Sequence, residues 1–177
     1  MSPLLVIGIG NPLRGDDGVG PRLAAEAEAL APRPRRGREP DLAVRAVQQL
    51  TPELAPEVAE ARAVLFIDAW LAPPTIHVPP VGPRLVSLGL GDPVPLGDGS
   101  PAMLSDLSHH LDPVTLLRLA DLLYSGRPRA HELLVPAEDF PHRRRFSRGL
   151  RQRLPQARDL LSQWIADLSP GSTPCTS

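Results

Sequence analysis

The sequence predicts an α/β domain, a layered α/β/α arrangement with helices on both faces of a sheet. Short apolar runs suited to strands alternate with segments whose apolar residues recur at helical spacing. One run, Val64-Leu65-Phe66-Ile67, is apolar at every position, as expected of a central strand covered from both sides. A glycine-rich turn, GIGNPLRGDDGVG from Gly8 to Gly20, joins the first strand to the first helix. Ligand sites of open α/β sheets form at such carboxyl ends of strands.

In chain order, strands are expected at Leu4–Gly10, Ala43–Gln48 and Ala63–Ala69, with weaker signals at Thr75–Val78, Arg84–Leu88 and His131–Pro136. Helices are expected at Gly18–Ala31, Pro52–Ala61, Pro113–Ser125 and Phe146–Leu168. Leu116, Leu117, Ala120 and Leu123 have the spacing of a buried helix stripe, as do Leu150, Leu154, Leu161, Ile165 and Leu168. Pro32–Pro40 reads as an exposed loop, and the proline- and glycine-rich stretch Pro73–Pro101 as a binding surface or lid. The 177 residues suit one domain over 1–168, with a disordered tail over 169–177.

Composition excludes several classes of function. The net charge of −1 does not point to nucleic acid or an anionic membrane surface. The N-terminal apolar run is short and broken by glycines, so it reads as a strand rather than a signal peptide, and a cytoplasmic location is expected. Cys175 is the single cysteine, which rules out an intramolecular disulfide. The absence of lysine removes Schiff-base, P-loop and Ser–Lys chemistry. Gly8-Ile9-Gly10 opens like a dinucleotide fingerprint, but Leu13 stands where its third glycine should be. There is no G-x-S-x-G elbow, and His131-Glu132 lacks the second histidine of a zincin helix.

What remains is a set of carboxylates and imidazoles at loop positions. Asp16 and Asp17 enter the first helix, Asp68 follows the apolar strand, and His109 and His110 precede the third helix. Asp17, Asp68 and one of the histidines, converging on one sheet edge, could hold a first-row divalent metal. Either Asp16 or Asp17 also suits a helix cap, and Asp112 is the candidate cap of the third helix. A charge at Asp68, directly after four apolar residues, is costly unless exposed or paired. His77 and His142 are expected to be solvated, as are the arginines at 143–145, 148, 151 and 153, read as one helix face that could dock an acidic partner.

These residues resemble a known family, the [NiFe]-hydrogenase maturation endopeptidases. GIGNPLRGDDGVG is similar to the family's first motif, Phe66-Ile67-Asp68-Ala69 to its second, and Ser108-His109-His110-Leu111 before a leucine-rich helix to its third. The likeness continues through Val135-Pro136-Ala137-Glu138-Asp139-Phe140 and the last helix, so it spans nearly the whole chain. It implies a three-layer sandwich around a twisted, mainly parallel sheet. It also implies that Asp17, Asp68 and His109 bind a metal and serve catalysis. The implied activity is that of an endopeptidase, aspartic-type by family label, that removes the C-terminal extension of a hydrogenase large-subunit precursor after nickel insertion. Nickel would be bound jointly with that substrate and recognised directly. Glycines 8, 10 and 18 would leave room for the extended segment to approach. The alternative is a non-catalytic chaperone or metallochaperone of the same nickel-loaded precursor.

Overall fold

The computed structural model describes residues 3–30, 41–71, 82–90 and 111–168. Within them, β1 (Leu4–Ile9), β2 (Leu42–Val47), β3 (Ala63–Leu71), β4 (Arg84–Leu88) and β5 (Arg129–Ala137) form one sheet in the order β2-β1-β3-β5-β4. β2, β1, β3 and β5 are mutually parallel, and β4 pairs antiparallel with β5 at the edge. The helices are α1 (Val19–Leu30), α2 (Ala55–Glu60), α3 (Pro113–Tyr124) and α4 (Arg148–Leu168). The expected three-layer, mainly parallel α/β/α sandwich is present.

Strand alternation divides the core in two. Leu4, Val6, Leu65 and Ile67 face one way and pack with Leu23 and Ala24 of α1 and Leu150 and Leu161 of α4. Leu5, Ile7, Val64 and Phe66 face the other way and pack with Val58 of α2 and Leu116 and Ala120 of α3. All four residues of the Val64–Ile67 run are fully buried, which confirms β3 as a central strand. Truncating Phe66 to Ala would cost about 3–5 kcal/mol, from lost burial and the cavity left behind.

The helix boundaries follow local chemistry. Asp112 caps α3, its Oδ1 accepting the Thr115 N–H at 2.9 Å, with Pro113 in the first turn where its missing N–H does no harm. Ser147 Oγ accepts the Leu150 N–H at 3.0 Å at the start of α4. α1 and α2 are each preceded by a 3-10 turn, Gly15–Gly18 and Pro52–Leu54, so they begin later than the apolar spacing suggests. α4 begins at Arg148, which places Arg143, Arg144 and Arg145 in the segment before it rather than on its face. β3 runs on to Leu71 and β5 covers Arg129–Ala137, both longer than their apolar runs, because each keeps pairing with the other along its full length. The expected strand Thr75–Val78, the loop Pro32–Pro40, most of Pro73–Pro101 and the tail from Ser169 lie outside the described residues. No helix among the described residues is long and apolar enough to cross a membrane.

The glycines do something other than the sequence suggests. A Cβ on Gly8 would lie 2.2 Å from the carbonyl oxygen of Gly20, and one on Gly20 would lie 2.2 Å from that of Ile9. A Cβ on Gly18 would come within 2.9 Å of Pro12 Cα, and one on Gly10 within 1.9 Å of the Asp17 carbonyl oxygen. The space is taken by the chain's own first helix and turn, so it is not open to a substrate segment. What these glycines permit is the seating of α1 directly on the ends of β1 and β3.

Candidate functional site

The turn after β1 folds tightly because its backbone is satisfied locally. Gly10 has φ +129°, a conformation that side chains rarely adopt. Asn11 then organises the turn: its side-chain oxygen accepts the Leu13 N–H at 2.9 Å, and its carbonyl accepts the Arg14 N–H at 2.9 Å. The Asn11 N–H donates to Asp17 Oδ2 at 3.1 Å, fixing that carboxylate.

The adjacent aspartates point to different surroundings. Asp16 is fully buried; its Oδ1 accepts the Ser147 N–H at 2.7 Å and its Oδ2 the Glu138 N–H at 2.9 Å. It therefore anchors the turn to the segment between β5 and α4, helped by a Gly15 N–H to Arg143 carbonyl bond of 2.6 Å. Neither aspartate caps α1 with its side chain. Asp17 instead lines a cleft of about 570 Å³ at the carboxyl end of the parallel strands, together with Gly10, Asp68, Trp70, Asp112 and Glu132.

Asp68 lies on β3 one residue beyond the last position paired with β1, on the same side of the strand as Phe66. Its Oδ1 accepts the Ala69 N–H at 2.7 Å. Burial pushes its pKa up to about 7; the Ala69 N–H opposes that shift, while the charges of Glu132 and Asp17 add to it. Glu132, on β5 opposite Phe66, is likewise raised, chiefly by burial and then by Asp112, with Arg84 opposing. Arg84 itself stacks 5.0 Å from the centre of the Trp70 ring, at the cleft's outer side.

Of the residues singled out in the sequence, the structure brings Asp17 and Asp68 to one cleft, while His109 and His110 lie outside the described residues. Among the described residues no group of three His, Cys, Asp or Glu side chains is arranged to hold a metal. His142 is exposed, as expected, and His77 and Cys175 are outside the described residues. Glu132 is the cleft residue that sequence reasoning passed over. Its only signal was a carboxylate directly before the apolar run Leu133–Val135. Carboxylates crowded into one half-buried cleft repel one another, and a cation among them would relieve that repulsion and return Asp68 to its ionised form. The oxygen donors of Asp17 and Asp68 are of a type suited to a divalent first-row ion.

The chain superposes on the hydrogenase 2 maturation peptidase from Thaumarchaeota archaeon SCGC_AB-539-E09 with a TM-score of 0.59, over 93% of this chain and 98% of that one, at 19% identity. The fold is that of the hydrogenase maturation proteases. The [NiFe] hydrogenase maturation protease HycI from Thermococcus kodakarensis KOD1 matches at TM-score 0.59 and 17% identity, covering 92% of this chain and 91% of its own. The hydrogenase maturating endopeptidase HybD from E. coli gives 0.60 and 17%, with 93% of each chain covered. No family model matches the chain, and no curated protein matches its sequence.

Proposed function

We propose that this chain is a cytoplasmic endopeptidase that removes the C-terminal extension of a [NiFe]-hydrogenase large-subunit precursor once nickel has been inserted. The observation that carries the reading is the meeting of Asp17 and Asp68 in one cleft at the carboxyl edge of a sheet shared with the maturation proteases. Each carboxylate is aimed by one backbone N–H, from Asn11 and from Ala69, and keeps its other oxygen without a hydrogen-bond partner among the described residues. Those two oxygens, with the imidazole of His109, would be the chain's donors to the nickel carried by the substrate. The metal, when present, polarises a carbonyl or a bound water. The carboxylates orient the precursor's metal site beside the scissile segment and accept or hold a proton as the peptide bond is broken. Trp70 and Leu134 supply apolar wall on which an extended peptide can lie.

Incubation with nickel-loaded and nickel-free precursor, followed by mass measurement of the large subunit, tests this reading. Loss of a C-terminal peptide from the loaded precursor alone is expected. Equal cleavage of both forms would show that the metal is not read. A stable complex with unchanged mass would assign the chain to a chaperone or metallochaperone role instead.

A further inference from the structure

The turn that presents Asp17 to the cleft has a second side. Pro12 and Gly18 of that turn line a separate surface depression of about 390 Å³, with Pro21, Arg22, Arg144 and Phe146 as its other walls. Its lining is largely apolar, and its two charged residues are arginines. Arg22 is paired with Glu26 at 2.7 Å, whereas Arg144 is exposed and has no carboxylate within ion-pair distance among the described residues.

Further arginines stand near these lining residues in the chain, at Arg14, Arg143 and Arg145. Arg14 and Arg143 are partners in an isolated parallel bridge, which brings their backbones side by side. Arg143 is compensated by Asp139 at 2.8 Å; Arg14 and Arg145 are exposed and have no such partner among the described residues. The backbone that carries these arginines is tied down. Gly15 bonds to the Arg143 carbonyl, and buried Asp16 binds the Ser147 and Glu138 N–H groups. An apolar depression edged by arginines, of which Arg144 has no carboxylate partner among the described residues, has the complement of a protein segment that mixes carboxylates with apolar side chains. The arginine edge offers no exposed aromatic ring for stacking on bases, and the whole chain carries a net charge of −1, which favours a protein over a nucleic acid.

We propose that this depression and its arginine rim dock an acidic segment of the protein substrate, outside the cleft and against other residues of the turn bearing Asp17. The inference rests on the protease reading given above and adds a second contact area to it. Docking here would tether the precursor within a few residues of the carboxylates, so that recognition does not depend on the cleft alone.

The test compares wild type, the double charge reversal R144E/R145E and a control reversal R127E/R129E. The control makes the same change in net charge at the amino end of β5. With nickel-loaded precursor at low salt, R144E/R145E should raise KM about tenfold with a much smaller change in kcat, and should flatten the fall of kcat/KM with added salt. R127E/R129E should leave KM and the salt response close to wild type. If wild type processes the precursor and R144E/R145E matches it in KM and salt response, the docking inference is overturned and the protease reading stands. If wild type does not process the precursor at all, both fall together. Loss of binding to a short DNA duplex in R144E/R145E, with processing unchanged, would assign the rim to nucleic acid and overturn the proposal.

Discussion

The pocket around Asp16 surrounds a carboxylate with two backbone N–H donors, whereas the cleft around Asp68 offers one donor and three further acids, Asp17, Asp112 and Glu132. Both groups are withdrawn from water beyond the carboxyl end of the parallel strands, and Asp16 is the immediate chain neighbour of the cleft carboxylate Asp17. The difference lies in what completes each of them. Asp16 has both oxygens satisfied by the chain, so its burial is structural. Among the described residues Asp68 has an oxygen left over and neighbours of its own sign. A buried acid that is already satisfied holds the fold together; one that is not is available for chemistry.

Substitution should separate these two roles most sharply in activity. Asp68→Ala and Asp17→Ala are expected to lower processing of the nickel-loaded precursor to below about a hundredth of wild type, since each removes a donor that the chain cannot replace. Neither unfolding midpoint should fall below that of wild type, because neither substitution opens a core cavity. Full activity in either variant would remove that residue from the site.

Asp16→Ala should act the other way round, through stability. It strands the Glu138 and Ser147 N–H groups away from solvent, at a cost of about 1–3 kcal/mol each. Urea unfolding should show a loss of about 2–5 kcal/mol, with Asp16→Asn losing less because one acceptor oxygen survives. An unchanged midpoint in Asp16→Ala would dissolve the distinction between the two pockets.

A third expected effect is one of pH, confined to the range in which Asp68 titrates. In the metal-free protein Asp68 keeps its proton up to about pH 7, against 3.8 for an ordinary aspartate. Between those values the folded chain binds more protons than the unfolded one, so its stability falls as pH rises. Asp68→Asn cannot ionise and escapes that fall. Thermal unfolding in the presence of chelator should therefore find the variant stabilised relative to wild type near neutral pH and above, with the gain vanishing towards about pH 4. A gain that does not vary with pH would have to come from packing rather than from the charge.

Much of this was legible in the sequence where the cause is local. The apolar run Val64–Ile67 announced the central strand and placed Asp68 at its exit, and Asp112 before Pro113 announced its own cap. The choice between Asp16 and Asp17 had no local signal. What decides it are N–H groups 122 and 131 residues further along the chain, at Glu138 and Ser147. The use of the glycines was illegible for a similar reason: the absence of a side chain says that something comes close, and only tertiary packing shows that α1 is what fills the space. Glu132 escaped notice because its neighbours Asp112 and Asp68 reach it through two other elements. Arg84–Leu88 was readable as a strand, but not as the antiparallel edge, since its partner lies across α3 in the chain.

The clasp at Asp16 also sets a schedule for biosynthesis. β1, β2 and β3 come from the first 71 residues and can pair as soon as these are available, but the turn carrying Asp17 lacks its anchors until Glu138 and Ser147 have been made. β4 likewise waits for β5, with which it pairs antiparallel. At the pace of a ribosome, about 5–20 residues per second, several seconds separate the first motif from the residues that hold it in place. A nascent chain therefore carries its acidic motif in an unlocked form, and the cleft closes into register only after the start of α4 has emerged. Such late closure leaves the cleft carboxylates unaimed until the sheet around them is complete.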